Sequence, residues 1–309
     1  MSSLSPAETT HDLTVASRTA ALTRLADYIE LTKPKIAVLA LVTVAVGYTL
    51  GSAGNWQLAG LVNALLGIGL VAASSSALNQ WIERTTDIRM TRTANRPLPA
   101  GRLNSTEALM FGLACGLAGF VYLAVFVNVT TAALALLTWL LYVAVYTPLK
   151  TRTSLCTAVG AVPGALPPVL GWTAAGGALD SGAFALFAIL FLWQFPHFLA
   201  IAWLYRNEYA AAGLRMLPDC NPRPRVTGMM GVAYATALIP VSLLPEQFAM
   251  AGRMYVVVAV VLGGLYLFSA LRFTKDESPK TARILLWTSL AYLPLLLLTL
   301  TWDHLQLLQ

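Results

Sequence analysis

Long apolar runs recur along this chain, and the positive charge between them falls almost entirely in every second connection. That pairing constrains the fold more than any single motif does. A helix of about 20 apolar residues crosses about 30 Å, the hydrocarbon thickness of a bilayer. A membrane barrel would instead show segments of about 10 residues alternating in polarity. The stretch from Met254 to Leu271 holds Ser269 as its only clearly polar residue and shows no such alternation. Charged residues are 11% of the 309 and hydrophobic ones 57%, whereas a soluble domain carries about 25% charged residues. Too few charges remain to coat a soluble globule. This excludes an ordinary cytosolic enzyme, a disordered chain and a nucleic-acid binder with a basic groove. The expected fold class is all-α, a polytopic helical bundle in a lipid bilayer.

Nine spans are expected: about Ile36–Ser52, Leu58–Leu78, Leu109–Val127, Ala132–Tyr146, Cys156–Ala174, Phe184–Leu204, Val226–Leu244, Tyr255–Leu271 and Ile284–Thr301. Residues 1–27 read as a mobile polar tail leading into an interfacial helix near Leu25–Leu31, and residues 28–309 as a single intramembrane domain. The tail lacks a compact basic stretch followed by an apolar core and a small-residue cleavage site, so a signal peptide is not expected. Cys115, Cys156 and Cys220 are far apart and form no Cys-x-x-Cys pair, so neither a disulfide framework nor a zinc site is expected.

Lys and Arg orient the bundle. Four precede the first span, five follow the second, two the fourth, four the sixth and four the eighth; only Arg253 lies on the opposite side. The positive-inside rule makes the populated side cytoplasmic. The N-terminus is then inside, the C-terminus outside, and a bacterial inner membrane is the expected location. The long polar connections after spans two and six lie on that side and are expected to meet as a cap over a central cavity.

After span two the chain places Asn79, Glu83 and Asp87 at intervals of four. On a helix continuing from the span these side chains stack on one face. Two carboxylates and an amide oxygen are hard ligands, and Mg²⁺ binds through one or two carboxylates with substrate phosphate oxygens and water completing its shell. Arg89, Arg92 and Arg96 follow, and guanidinium forks pair with phosphate oxygens. Positive-inside anchoring would explain the arginines by themselves, but it gives no reason for acids at that boundary.

These residues resemble the Asn-x-x-x-Asp/Glu-x-x-x-Asp motif of the UbiA-type intramembrane prenyltransferases. Asn79-Gln80-Trp81-Ile82-Glu83 and Arg92-Thr93-Ala94-Asn95-Arg96-Pro97-Leu98-Pro99 are similar to the branch that prenylates haem. Further segments agree: Tyr28 with Leu31-Thr32-Lys33-Pro34, Tyr146-Thr147-Pro148-Leu149-Lys150, Gly164-Ala165-Leu166-Pro167-Pro168 with Gly171-Trp172, Trp193-Gln194-Phe195-Pro196-His197-Phe198, and Gly213 with Met216-Leu217-Pro218. The likeness is dense from Tyr28 to Pro218 and rests on hydropathy alone in the last three spans. It implies transfer of a farnesyl group from farnesyl diphosphate to a vinyl group of haem B, with Mg²⁺ as cofactor and haem as substrate. A downstream haem-modifying enzyme or oxidase assembly factor is an implied partner; nucleic acid is not. A quinone precursor is the alternative acceptor within the family. A transporter is the alternative outside it, but its acids would lie near the bilayer midplane.

The chain departs from the family at its second acidic motif. Arg206-Asn207-Glu208-Tyr209 supplies one acid, with Ala212 four residues on. Glu208 is either a further Mg²⁺ ligand or a loop cap. Lys150 is expected to clamp diphosphate with Arg92 and Arg96, while Arg152 reads as anchoring. His197 lies inside span six, where an ionisable residue suggests function. It contacts haem, or it bonds a neighbouring helix or a carbonyl freed by Pro196. Pro163, Pro167 and Pro168 with Gly160, Gly164 and Gly171 should make span five irregular.

Overall fold

A computed structural model describes residues 22–218 and 223–309. Most of the expected tail and Cys220 therefore lie outside the described residues. The described chain forms helices and no strand. In order they are α1 (22–31), α2 (Pro34–Gly51), α3 (Leu58–Asp87), α4 (Ser105–Phe126), α5 (Val129–Leu149), α6 (Cys156–Ala165), α7 (Pro167–Ala174), α8 (Ser181–Ala211), α9 (Val226–Val241), α10 (Arg253–Lys275) and α11 (Pro279–Leu307).

Helix starts follow capping chemistry. Asn104 accepts from the Thr106 amide at 3.1 Å, and Glu107 accepts from the Asn104 amide at 3.2 Å, opening α4. The Asp180 carboxylate accepts from the Gly182 and Ala183 amides at 3.0 and 3.1 Å, opening α8. Among the described residues eight helical segments are long and apolar enough to cross a membrane, α9 counting with the short helix Leu244–Gln247 that follows it. The expected fifth span is instead two short helices, α6 and α7, of 10 and 8 residues. Leu166 between them keeps right-handed helical angles. The break comes from missing amide donors at Pro163, Pro167 and Pro168, which leave the ladder incomplete.

α7 packs directly on α2. A Cβ on Gly47 would lie 1.9 Å from the Pro168 carbonyl oxygen, and one on Gly171 would lie 1.9 Å from that of Val44. Only hydrogen at both positions lets the two backbones approach this closely. The main core joins α2 and α6–α11 through residues such as Leu186, Ile189, Tyr266, Leu285 and Tyr292.

Helices α2, α3, α4, α10 and α11 present exposed large apolar side chains outward, among them Leu39, Leu66, Leu117, Phe268 and Trp287. α8 differs, with no exposed large apolar residue after Phe184, so it is the interior helix of the bundle. α1 exposes Leu22, Leu25 and Ile29 on one face while Leu31 is fully buried. This is the pattern of an interfacial helix. Arg102 pins α1 through Asp27 and through Glu30 at 2.7 Å.

Candidate active site

α3 continues nine residues beyond the expected end of span two, to Asp87. The helix therefore carries Asn79, Glu83 and Asp87 on one buried stripe, with relative exposures of 1%, 9% and 0%. Each of the three is held by a cation from a different segment. Lys33 Nζ donates to Asn79 Oδ1 at 2.6 Å. Lys150 Nζ lies 2.7 Å from Glu83 Oε1. Arg96 Nη1 lies 2.6 Å from Asp87 Oδ2. Two carboxylates thus face three cations, and the surplus positive charge suits a multiply charged anion.

Local backbone places each cation. Lys33 joins α1 to α2 in a left-handed conformation (φ 52°). Gln80 fixes that junction by donating to the Leu31 carbonyl at 2.7 Å. Burial pulls the Lys33 ammonium down to about 7, with Arg96 adding to the effect and Glu83 opposing it.

α5 ends in a π-helical turn over Leu140–Tyr146, a form that recurs at functional sites. It presents Thr147, which donates to the Tyr142 carbonyl at 2.8 Å and accepts from Asn79 Nδ2 at 3.1 Å. It also sets Tyr146 under the Lys150 ammonium, 4.5 Å from ring centroid to nitrogen. A Cβ on Gly160 would lie 2.5 Å from that ring, so this glycine makes room for it. Burial opposes the Lys150 charge, but Tyr146 and Glu83 outweigh it and its pKa is raised. Thr93 donates to the Asp87 carbonyl at 2.8 Å, closing the turn that returns Arg96 to the stripe.

The three arginines after the stripe lie in different surroundings. The helix stops at Asp87, so helical spacing no longer relates Arg89, Arg92 and Arg96. Arg96 reaches the stripe. Arg89 is exposed. Arg92 lies over the rings of Tyr205 and Tyr209 at 5.0 and 5.9 Å and donates to the Tyr209 hydroxyl at 3.3 Å. α8 kinks at Tyr205 (φ −109°, ψ 15°), which turns its last residues toward this loop. Met90, Ala202, Tyr209 and Ala212 form a small apolar cluster beneath. The connection after α3 therefore meets the last turns of α8, which lie beyond the expected end of span six at Leu204.

Glu208 is half-buried, in the last turn of α8, and makes no side-chain hydrogen bond or ion pair among the described residues. Its neighbour Tyr209 makes the cap contact instead. His197 bonds Ser289 Oγ at 2.8 Å, away from the stripe. Lys33, Gln80, Thr147 and Tyr146 belong to the site, and only the resemblance in Leu31-Thr32-Lys33-Pro34, Asn79-Gln80-Trp81-Ile82-Glu83 and Tyr146-Thr147-Pro148-Leu149-Lys150 signalled them in sequence.

No group of three His, Cys, Asp or Glu side chains converges on a metal-binding point among the described residues. Mg²⁺ needs no such group when substrate phosphate supplies ligands. Asp87 Oδ1 is fully buried without a hydrogen-bond partner among the described residues, an expensive state unless something binds it. The donor set therefore fits a Mg²⁺ ion shared with a diphosphate. Beside it a cavity of about 260 Å³ opens, lined by Glu83, Thr86, Thr147, Thr151 and Arg152 among others.

Residues 40–302 match the UbiA prenyltransferase family. The chain is 48% identical over 279 residues to a protoheme IX farnesyltransferase of Solibacter usitatus, covering 87% of this chain and 96% of that one. It is 45% identical to one from Myxococcus xanthus, covering 90% and 94%. In fold it is similar to a digeranylgeranylglyceryl phosphate synthase (TM-score 0.78, 17% identity, 92% and 99% coverage). It is also similar to a UbiA homolog from Archaeoglobus fulgidus bound to DMAPP and Mg²⁺ (TM-score 0.58, 19% identity, 87% and 99% coverage). A family match over most of the chain, with relatives this similar along nearly their whole length, places the protein: it is an integral, multi-pass membrane member of the UbiA prenyltransferase family.

Proposed function

We propose that the chain transfers a farnesyl group from farnesyl diphosphate to a vinyl group of haem B, giving haem O. The observation that carries the diphosphate half is the stripe itself, with three hard oxygens, three cations and one buried carboxylate oxygen left without a partner. The names of the relatives carry the haem half.

Asn79, Glu83 and Asp87 hold the metal. Bound there, Mg²⁺ supplies charge neutralisation to the leaving diphosphate. Lys33, Lys150 and Arg96 exchange their present oxygen partners for diphosphate oxygens as the substrate enters. They then stabilise charge that grows on those oxygens while the C–O bond breaks. Arg92, steadied by Tyr205 and Tyr209, closes the cap over the anion. The farnesyl chain lies among the helices, which keep water from the allylic cation. A vinyl carbon of haem forms the new C–C bond. Water adds to the resulting cation and loses a proton, leaving a hydroxyethylfarnesyl group. Glu208 reads better as a residue of the last turn of α8 than as a ligand, and His197 as a haem contact.

The cation-rich face is cytoplasmic, with the N-terminus inside and the C-terminus outside a bacterial inner membrane. A haem-modifying enzyme or an oxidase assembly factor is the natural recipient of so apolar a product. Incubating membranes with Mg²⁺, haem B and farnesyl diphosphate, followed by chromatography of extracted haem, tests the reaction. Haem O is the expected product. A prenylated quinone precursor formed in place of haem O would reassign the acceptor.

A further inference from the structure

His197 and Ser289 form a polar contact inside the bundle that the diphosphate site does not use. His197 Nδ1 lies 2.8 Å from Ser289 Oγ. The Ser289 hydroxyl already donates its one proton to the Leu286 carbonyl at 2.6 Å. It can therefore only accept from the imidazole. The neutral ring is the Nδ1–H tautomer, and Nε2 keeps its lone pair. No side chain among the described residues hydrogen-bonds Nε2, and no carboxylate pairs with the ring.

The ring is held in place as well as in tautomer. Trp193 stacks on it, with centroids 5.2 Å apart and planes 22° apart. The Trp193 indole donates to the Ser289 carbonyl at 2.8 Å, and the Tyr266 hydroxyl donates to the Trp193 carbonyl at 3.0 Å. Ser289 and Tyr266 are fully buried. His197 itself is half-buried. It belongs to α8, which shows no exposed large apolar side chain after Phe184.

A fixed imidazole whose one nitrogen donates to a buried acceptor while the other is bare is the arrangement of a metal-ligating histidine. His197 lies about seven residues, or about 10 Å, before the cytoplasmic end of span six near Leu204. That is too deep for the acid stripe and suits a flat macrocycle. The geometry points to Ser289 as a positioning residue: it holds His197 in the Nδ1–H tautomer so that Nε2 donates its lone pair to an axial position of the haem iron. No electron is transferred; at most an axial water leaves. This rests on the proposal that haem is the acceptor.

The test uses the full chain in lipid nanodiscs with ferric haem B alone, read by optical absorption and electron paramagnetic resonance. The wild type should show one imidazole-ligated species. His197→Gly should lose that signature and regain it with added imidazole. Ser289→Ala should bind haem about 10–100-fold more weakly with a heterogeneous spectrum, and Ser289→Thr, which keeps the hydroxyl, should restore it. Mg²⁺-dependent farnesyl diphosphate binding reports folding in each variant. Haem prenylation by the wild type, with a spectrum that His197→Gly leaves unchanged, overturns the ligation and spares the function. Unchanged haem affinity in Ser289→Ala with an intact fold overturns the role of Ser289. A wild type that neither binds nor prenylates haem overturns both readings.

Discussion

Lys33 Nζ lies 2.6 Å from Asn79 Oδ1, although 46 residues separate the two in sequence. The contact brings the α1–α2 junction onto the acid stripe and adds a third cation to a site that otherwise has two. A hydrogen bond to a charged group contributes about 1.5–3 kcal/mol. Lys33→Met should therefore weaken farnesyl diphosphate binding about 10–100-fold, measured by titration in the presence of Mg²⁺. Unchanged affinity would mean that Lys33 serves the fold alone.

Lys150 and Glu83 form a largely buried pair, with side-chain exposures of 14% and 10%. Removing one partner leaves the other charged and uncompensated, a loss of about 3–5 kcal/mol for a buried pair. Glu83→Gln should thus lower thermal stability as well as stop turnover. The double variant Glu83→Leu, Lys150→Met should recover much of that stability and stay inactive. Recovery of turnover in the double variant would show that the pair is structural.

Gly171 sits where a Cβ would meet the Val44 carbonyl oxygen at 1.9 Å. Backbone cannot yield as a side-chain tip can, so Gly171→Ala should force α2 and α7 apart at more than the usual 1–3 kcal/mol of overpacking. Folded yield after detergent extraction checks this. Gly264→Ala, where nothing lies within 4 Å of the added carbon, is the matched control and should extract normally.

The cap depends on Arg92 lying over Tyr205 and Tyr209. Cation–π contacts at partly exposed sites contribute about 0.5–1 kcal/mol each. Replacing both tyrosines with leucine should raise the KM for farnesyl diphosphate several-fold and leave overall stability little changed. A KM equal to that of the wild type would show that the cap plays no part in holding the substrate.

The stripe was legible because its signal is local. Asn79, Glu83 and Asp87 repeat every four residues, and a helix converts that period into a shared face. The arginines after it carry no such local signal, since the helix ends at Asp87 and turns send Arg96 back to the stripe and Arg92 to Tyr209. Lys33 carried no periodic signal, because its reach depends on a left-handed junction and on Gln80 gripping Leu31. The π-helical turn that sets Tyr146 and Thr147 was equally hidden, since Leu140–Tyr146 reads as ordinary apolar helix. Hydropathy located the spans, and the prolines of the fifth marked it as irregular. Neither signal could show that His197 meets Ser289, 92 residues away.

The central claim is that the α3 stripe holds Mg²⁺ and diphosphate together. Asp87 Oδ1, buried and without a partner, is the atom that most requires it. The most direct measurement is calorimetric titration of purified protein with a non-reactive farnesyl diphosphate analogue, with and without Mg²⁺, for the wild type and Asp87→Asn. The wild type should bind tightly only when Mg²⁺ is present, and Asp87→Asn should lose that Mg²⁺-dependent gain. Equal Mg²⁺-dependent binding by a folded Asp87→Asn protein would contradict the account.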